Sequence, residues 1–186
     1  MARLGTSEIS HVESGNVPAT APFGVVEHVQ MELKLPSRGY SRLRVGRQSM
    51  RGWRYLITTV CMDRHPWFAN PQVAQAVATL HGSSELFVDA ELHAWVLMPD
   101  HWHGVLQLGD HESLSALMNR FKTRTAMAAN GVCGRKGGIW FSGFHDRALR
   151  DDREVQAATQ YILDNPVKAG LCRAPDEYPW MHPHWS

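Results

Sequence analysis

His101 and His103 stand two residues apart within "WVLMPDHWHGVLQL" (95–108), a run whose aromatic and β-branched content reads as strand. A strand repeats every two residues, so both imidazoles point to one face. Neutral imidazole is the commonest protein ligand for a metal ion, and two side by side make half a coordination site. Mg²⁺ prefers oxygen donors, whereas Mn²⁺ accepts imidazole more readily. Tyr161 and Asn165, in "DDREVQAATQYILDNP" (151–166), are four apart and share a helix face with Glu154 and Ala157. A phenol, with a reference pKa of about 10, is a poor nucleophile at neutral pH unless its electrophile is polarised. Asn165 can offer an amide oxygen to the polarising ion. Joined, the two pairs describe attack of Tyr161 on a phosphodiester. The 3′-hydroxyl leaves, the 5′-phosphate stays on the protein, and the step can reverse to join another end. The plainer readings stand beside this one. H-x-H pairs arise by chance in a chain with eleven histidines, as at His182 and His184, and many helices pack a tyrosine for no chemical reason.

The elements that must position these residues follow from periodicity. "WRYLITTVCM" (53–62) is a strand. "NPQVAQAVATLHG" (70–82) is a helix capped by Asn70, with Pro71 in its first turn, Gly82 at its end and Val73, Ala76, Val77 and Leu80 as its buried stripe. Two strand-like runs, 86–98 and 101–108, flank a Pro99-Asp100 turn. A helix follows from Ser113, with Leu114, Leu117, Met118, Phe121 and Thr125 inward. "NGVCGRKGG" (130–138) reads as a loop and residues 139–150 as a short extended stretch. The last helix runs from an Asp151 or Asp152 cap to Pro166. The aromatic tail from Tyr178 folds back on the body. Strand, helix, strand, strand, helix, strand, helix predicts an α+β domain of split β-α-β type, one antiparallel sheet with its helices packed on one face.

The 186 residues suffice for one domain with a real core, and 44% hydrophobic content is ordinary. A net charge of +1 says little about partners, but Arg38, Arg42, Arg44, Arg47, Arg51 and Arg54 crowd one acid-free stretch. Residues 1–46 read as a basic, partly disordered extension, and residues 47–186 as the catalytic domain. The three cysteines form no disulfide framework; Cys133 and Cys172 can pair in principle, but a reducing cytoplasm is the simpler setting. The N-terminus lacks a signal-peptide core, and no apolar run is long enough to span a membrane.

In this order and at these separations the segments resemble the REP-associated tyrosine transposases, single-tyrosine members of the histidine-hydrophobe-histidine nucleases. The match runs from about Arg47 to Trp180. "VLMPDHWHGVLQL" resembles the family's metal motif, although Asn or Glu is commoner where Asp100 stands. "LMNRFKTRTAMAAN" and "GIWFSGFHDRALRDD" resemble its middle elements. "YILDNPVKAGL" resembles the tyrosine motif, and "DEYPWMHP" resembles the family ending without its serines. The resemblance implies a ferredoxin-like α/β domain, His101, His103 and Asn165 as ligands of Mg²⁺ or Mn²⁺, and Tyr161 as nucleophile. It implies a substrate of single-stranded DNA bearing imperfect hairpins of repetitive extragenic palindromes (REP), cut near the hairpin foot. A monomer is favoured, with a dimer swapping tyrosine helices as the alternative.

Asp146 and Glu154 are candidates to orient a histidine or hold a water. Besides the six arginines before and at the first strand, Arg120, Lys122, Arg124, Arg135 and Lys136 are candidates for phosphate contact. Trp140, Phe141 and Phe144 are candidates for base stacking; Trp53 and Trp102 are assigned to the core. Two other functions compete: a non-catalytic regulator that binds hairpin nucleic acid, and a metal enzyme acting on small phosphate esters through water.

Overall fold

The computed structural model describes residues 50–183; Arg38, Arg42, Arg44, Arg47 and the 1–46 extension lie outside them. Five strands form one sheet: β1 (Arg54–Val60), β2 (Ala90–Met98), β3 (His101–Leu108), β4 (His145–Leu149) and β5 (Met181–Pro183). Their order is β4-β1-β3-β2-β5, with every neighbouring pair antiparallel. The helices are α1 (Pro71–Thr79), α2 (Leu114–Cys133), α3 (Asp152–Leu163) and the single turn α4 (Asn165–Lys168). This is the expected α+β architecture.

The caps form where their chemistry requires. Asn70 accepts from the backbone N–H groups of Gln72 and Val73 at the start of α1, Ser113 from Ala116 at the start of α2, and Asp151 from Glu154 at the start of α3. Helix α2 outruns its expected end at Asn130. It closes at Gly134, whose left-handed backbone (φ 60°) returns its N–H to the Asn130 carbonyl. The loop reading of Asn130-Gly131 therefore fails, because a capping glycine lay one turn further on. Pro166 ends α3 as expected and then opens α4.

Strand alternation sorts the sheet into two faces. Tyr55, Ile57, Trp95, Leu97, Trp102, Leu106 and Leu108 join Val73, Ala74 and Val77 of α1 and Leu117, Met118 and Phe121 of α2 in one buried cluster. Ala94, Val96, Met98, Val105 and Leu149 join Ala158 and Ile162 of α3 in a second. The ferredoxin-type helices α1 and α2 thus share one face, while α3 covers the other. Packing of all helices on one face is corrected in this respect. The apolar residues on the second face of β2 and β3 need cover, and the stripe Val155, Ala158 and Ile162 supplies it.

The tail becomes edge strand β5 on β2, held also by Tyr178 Oη donating to the Leu97 carbonyl (2.8 Å). Trp53 is 37% exposed rather than core, whereas Trp102 is fully buried as expected. The three cysteines are free. Among the described residues no helix is long and apolar enough to cross a membrane.

Candidate active site

The two-residue Pro99-Asp100 turn between β2 and β3 puts His101 at the first position of β3 and His103 two further on. Both side chains fall on the α3 face. Their rings lie 4.8 Å apart between centroids and nearly perpendicular. Each is fixed through Nδ1. Thr58, the cross-strand partner of His103 on β1, places Oγ1 2.7 Å from its Nδ1. Asp100 places Oδ1 2.6 Å from the Nδ1 of His101. Both contacts engage Nδ1 and leave Nε2 as the nitrogen that could meet a metal ion, as a ligating histidine usually does.

His103 is 2% exposed. Burial first, then the charges of His101 and Arg64, hold its pKa well below the ordinary value, so it stays neutral and fit to bind a cation. Burial pushes the Asp100 carboxyl up, but its hydrogen bond to His101, the His101 charge and Arg64 outweigh this and keep it below the usual range. Arg64 pairs with Asp100 at 3.2 Å.

The nucleophile candidate arrives from above. Val155, Ala158 and Ile162 seat α3 on the sheet, and the Tyr161 ring comes to 6.0 Å from that of His103, edge to face. The ammonium of Lys168 lies 5.5 Å from the centre of the Tyr161 ring, bridged also to Asp164 (3.3 Å). Asn165 is buried, and its amide N–H donates to the carbonyls of Tyr161 (3.0 Å) and Ile162 (3.5 Å). That turns nitrogen toward the helix and leaves the amide oxygen without a bond to that helix. Among the described residues no group of three His, Cys, Asp or Glu side chains could hold a metal by itself. The donor types present nevertheless suit a divalent ion: two imidazoles each oriented through Nδ1, and an amide oxygen on the turn that follows the Tyr161 helix.

Other expected site residues go elsewhere. Asp146 pairs in register with Ile57 and so lies on the α1/α2 face, away from the histidines. Glu154 folds back over its own helix end to accept from the Arg150 N–H (3.2 Å). The orienting groups are instead Thr58 and Asp100. Thr58 was hidden because register between strands is not written in either strand alone, whereas the adjacency of Asp100 to His101 was a readable signal.

Several expected phosphate contacts are engaged within the fold. Arg120 makes a two-pronged pair with Glu112 (2.6 Å each) and donates to the Leu86 carbonyl. Lys122 donates to the Phe141 and Gly143 carbonyls. Arg54 pairs with Asp152, Arg124 with Glu85 (2.9 Å), and Arg135 lies over the Trp67 ring. Arg51 and Lys136 are exposed. Trp140 is buried, its indole N–H given to Thr125 Oγ1 (2.8 Å), so it offers no stacking face. Phe141 and Phe144 are half-buried. A groove of about 830 Å³, lined by Met127, Arg135, Lys136 and Phe141 among others, lies between α2 and the following loop and includes neither histidine.

Comparison with known proteins adds four findings. Residues 49–165 match the family model described as "Transposase IS200 like". A REP-associated tyrosine transposase of Escherichia coli K12 is 31% identical over 96 residues, half of this chain and 54% of that protein. A Haemophilus influenzae protein assigned to the same kind is 25% identical over 148 residues, covering 74% of this chain and 84% of its own length. Among solved structures, a REP-associated tyrosine transposase bound to a REP hairpin superposes with a TM-score of 0.58 at 21% identity, covering 75% of this chain and 88% of that one.

Proposed function

The chain belongs to the IS200-like transposase family and is an enzyme of the REP-associated tyrosine transposase kind, and from that premise we propose that it cuts and rejoins hairpin-bearing single-stranded DNA through Tyr161. The observation that carries this reading is the convergence of the Tyr161 ring on His103 within one chain. No second subunit's helix is needed to complete the site, which favours a monomer acting in cis.

The Tyr161 oxygen attacks phosphorus in line with the departing 3′ oxygen. The phosphorus–O3′ bond breaks, the phenol proton passes to solvent, and the leaving oxygen takes up a proton. The product is a 5′-phosphotyrosine and a free 3′-hydroxyl. The reverse step, with a different 3′-hydroxyl, joins a new end without an external energy source. His101, His103 and the Asn165 oxygen would hold Mg²⁺ or Mn²⁺, whose charge would stabilise the crowded phosphate oxygens. Thr58 and Asp100 keep the imidazoles turned with Nε2 outward. Lys168 holds its ammonium over the Tyr161 ring, 5.5 Å from its centre, and adds positive charge near the nucleophile. The substrate is proposed as a single strand with REP-type hairpins; the superposed relative is bound to a REP hairpin.

Incubation with such strands and Mg²⁺ or Mn²⁺ is expected to yield a protein–DNA adduct that survives denaturation. Tyr161→Phe should form none. An adduct with the phenylalanine variant would dismiss Tyr161 as nucleophile, and binding without cleavage under every metal condition would leave a hairpin-binding regulator.

A further inference from the structure

Arg64 has no part in the motifs read from the sequence, yet the fold delivers it to the histidine end of the sheet. Strand β1 ends at Val60, the register partner of His101. The chain then turns sharply: Cys61 donates its N–H to the Asp100 carbonyl (2.8 Å), Met62 to Ile139 (2.8 Å) and Arg64 to Cys61 (3.1 Å). Within this turn Asp63 and Arg64 both adopt left-handed backbone (φ 54°), the two non-glycine residues among those described that do so. Side-chain crowding makes that conformation costly, and two in succession persist where the surrounding bonds enforce them. The bonds above do so.

The result is one carboxylate shared by two neighbours. Asp100 holds His101 with Oδ1 (2.6 Å) and Arg64 with Oδ2 (3.2 Å). A guanidinium carries five N–H donors in a planar fork. Asp100 engages one edge, and the Arg64 side chain remains 43% exposed. As a plain ion pair so open to solvent it would stabilise little, and would not explain why the backbone is bent to deliver it here.

We propose that Arg64 is the substrate-gripping cation of this site, donating its free guanidinium N–H groups to the non-bridging oxygens of the phosphate seated at the histidine pair. Planar two-pronged recognition of phosphate is the chemistry for which arginine is suited and lysine is not. Asp100 then has two tasks, fixing the His101 ring and aiming Arg64 at the same point. This rests on the strand-cleaving reading above.

The test separates the two. Single strands with an imperfect REP-type hairpin, each carrying one uncharged methylphosphonate at a different linkage of the flank, are titrated in Mg²⁺ by fluorescence anisotropy. The proteins are Tyr161→Phe, which cannot cut, and Tyr161→Phe combined with Arg64→Ala or Arg64→Lys. At one linkage, neutralisation should weaken binding about tenfold more when Arg64 is present than in the alanine variant, whose remaining loss reports the cation at the histidines, with lysine between. That linkage should be the one at which the unaltered enzyme cuts. Equal losses with and without Arg64 at every linkage, a coupled linkage away from the cut, or no hairpin binding at all overturns the proposal. Should the unaltered enzyme form no adduct, the strand-cleaving reading falls, while the scan still reports whether Arg64 holds one phosphate.

Discussion

The two faces of the sheet are built from different materials. Under α1 and α2 lies an aromatic mass. Trp102 packs 4.4 Å from Phe121, Phe121 lies 5.9 Å from Trp140, and His81 stacks on Trp95 at 3.9 Å. Gly104 is the corollary: a Cβ there would fall 2.1 Å from the Trp102 ring, so the indole lies over a position that must stay bare. Under α3 the buried cluster is Ala, Val, Met, Leu and Ile. Smaller side chains let a helix sit close to the sheet, and the polar residues of the candidate site — His101, His103 and Thr58 — occupy that side. One face fixes the sheet, and the other uses it as a floor. Alternation along β3 lets neighbouring residues serve both.

The sharpest way to break this division is to injure each face separately. Tyr161→Phe removes one half-buried hydroxyl. Adduct formation should fall by on the order of 10⁴-fold or more, while the melting temperature moves by no more than about 2 °C. Phe121→Ala, on the other face, should cost ~3–5 kcal/mol in urea unfolding. At a temperature where the variant is still folded, its adduct rate should stay within about threefold of the unaltered enzyme. A large rate loss in the folded Phe121 variant would show that the faces are not separable.

A third effect concerns the aromatic face alone. His81 donates Nδ1–H toward the Val77 and Ala78 carbonyls, and its Nε2 is buried without a partner. Burial pushes its pKa down to about 4 from the ordinary 6.5, against the partial support of those two carbonyls. A histidine so depressed takes up its proton more readily when unfolded. Stability is therefore unaffected above about pH 6.5, falls as pH drops below it, and levels off below about 4. The full loss is ~3 kcal/mol, of which ~2.5 kcal/mol should be felt at pH 4.5. His81→Phe should flatten this dependence in denaturant titrations at pH 7.5 and 4.5. An unchanged slope would place the acid-sensitive group elsewhere.

Legibility followed the same division. The α1/α2 face was readable because helical stripes and strand alternation are local. Leu114, Leu117, Met118, Phe121 and Thr125 are all buried as their spacing implied. The i, i+2 histidines and the i, i+4 Tyr161–Asn165 pair were readable for the same reason, as was the family likeness they anchor. What joins them was not. Covering the second face with α3 depends on tertiary packing, and pairing Thr58 with His103 depends on register across forty-five residues. Arg120 and Lys122 show the same limit: their positive charge was readable, but their engagement by Glu112 and by two loop carbonyls was not.

Thr58→Val is the smallest and most discriminating lesion. Valine matches threonine in shape, so the small-residue packing under α3 is kept and only the hydroxyl goes. For His103 to coordinate through Nε2, its proton must sit on Nδ1 and be donated to Thr58 Oγ1. With valine that proton faces an apolar wall, and the ring loses the partner that selects both its tautomer and its angle. Mn²⁺ affinity, measured without DNA by calorimetry or electron paramagnetic resonance, should fall about 10–100-fold, and Thr58→Ser should retain most of it. Folding stability should change far less than in the Phe121 variant, because the lost bond belongs to the floor of the site rather than to the mass that holds the sheet. If valine binds Mn²⁺ as tightly as threonine, the histidines are oriented by their backbone alone, and β1 contributes packing but no chemistry to the face it shares with α3.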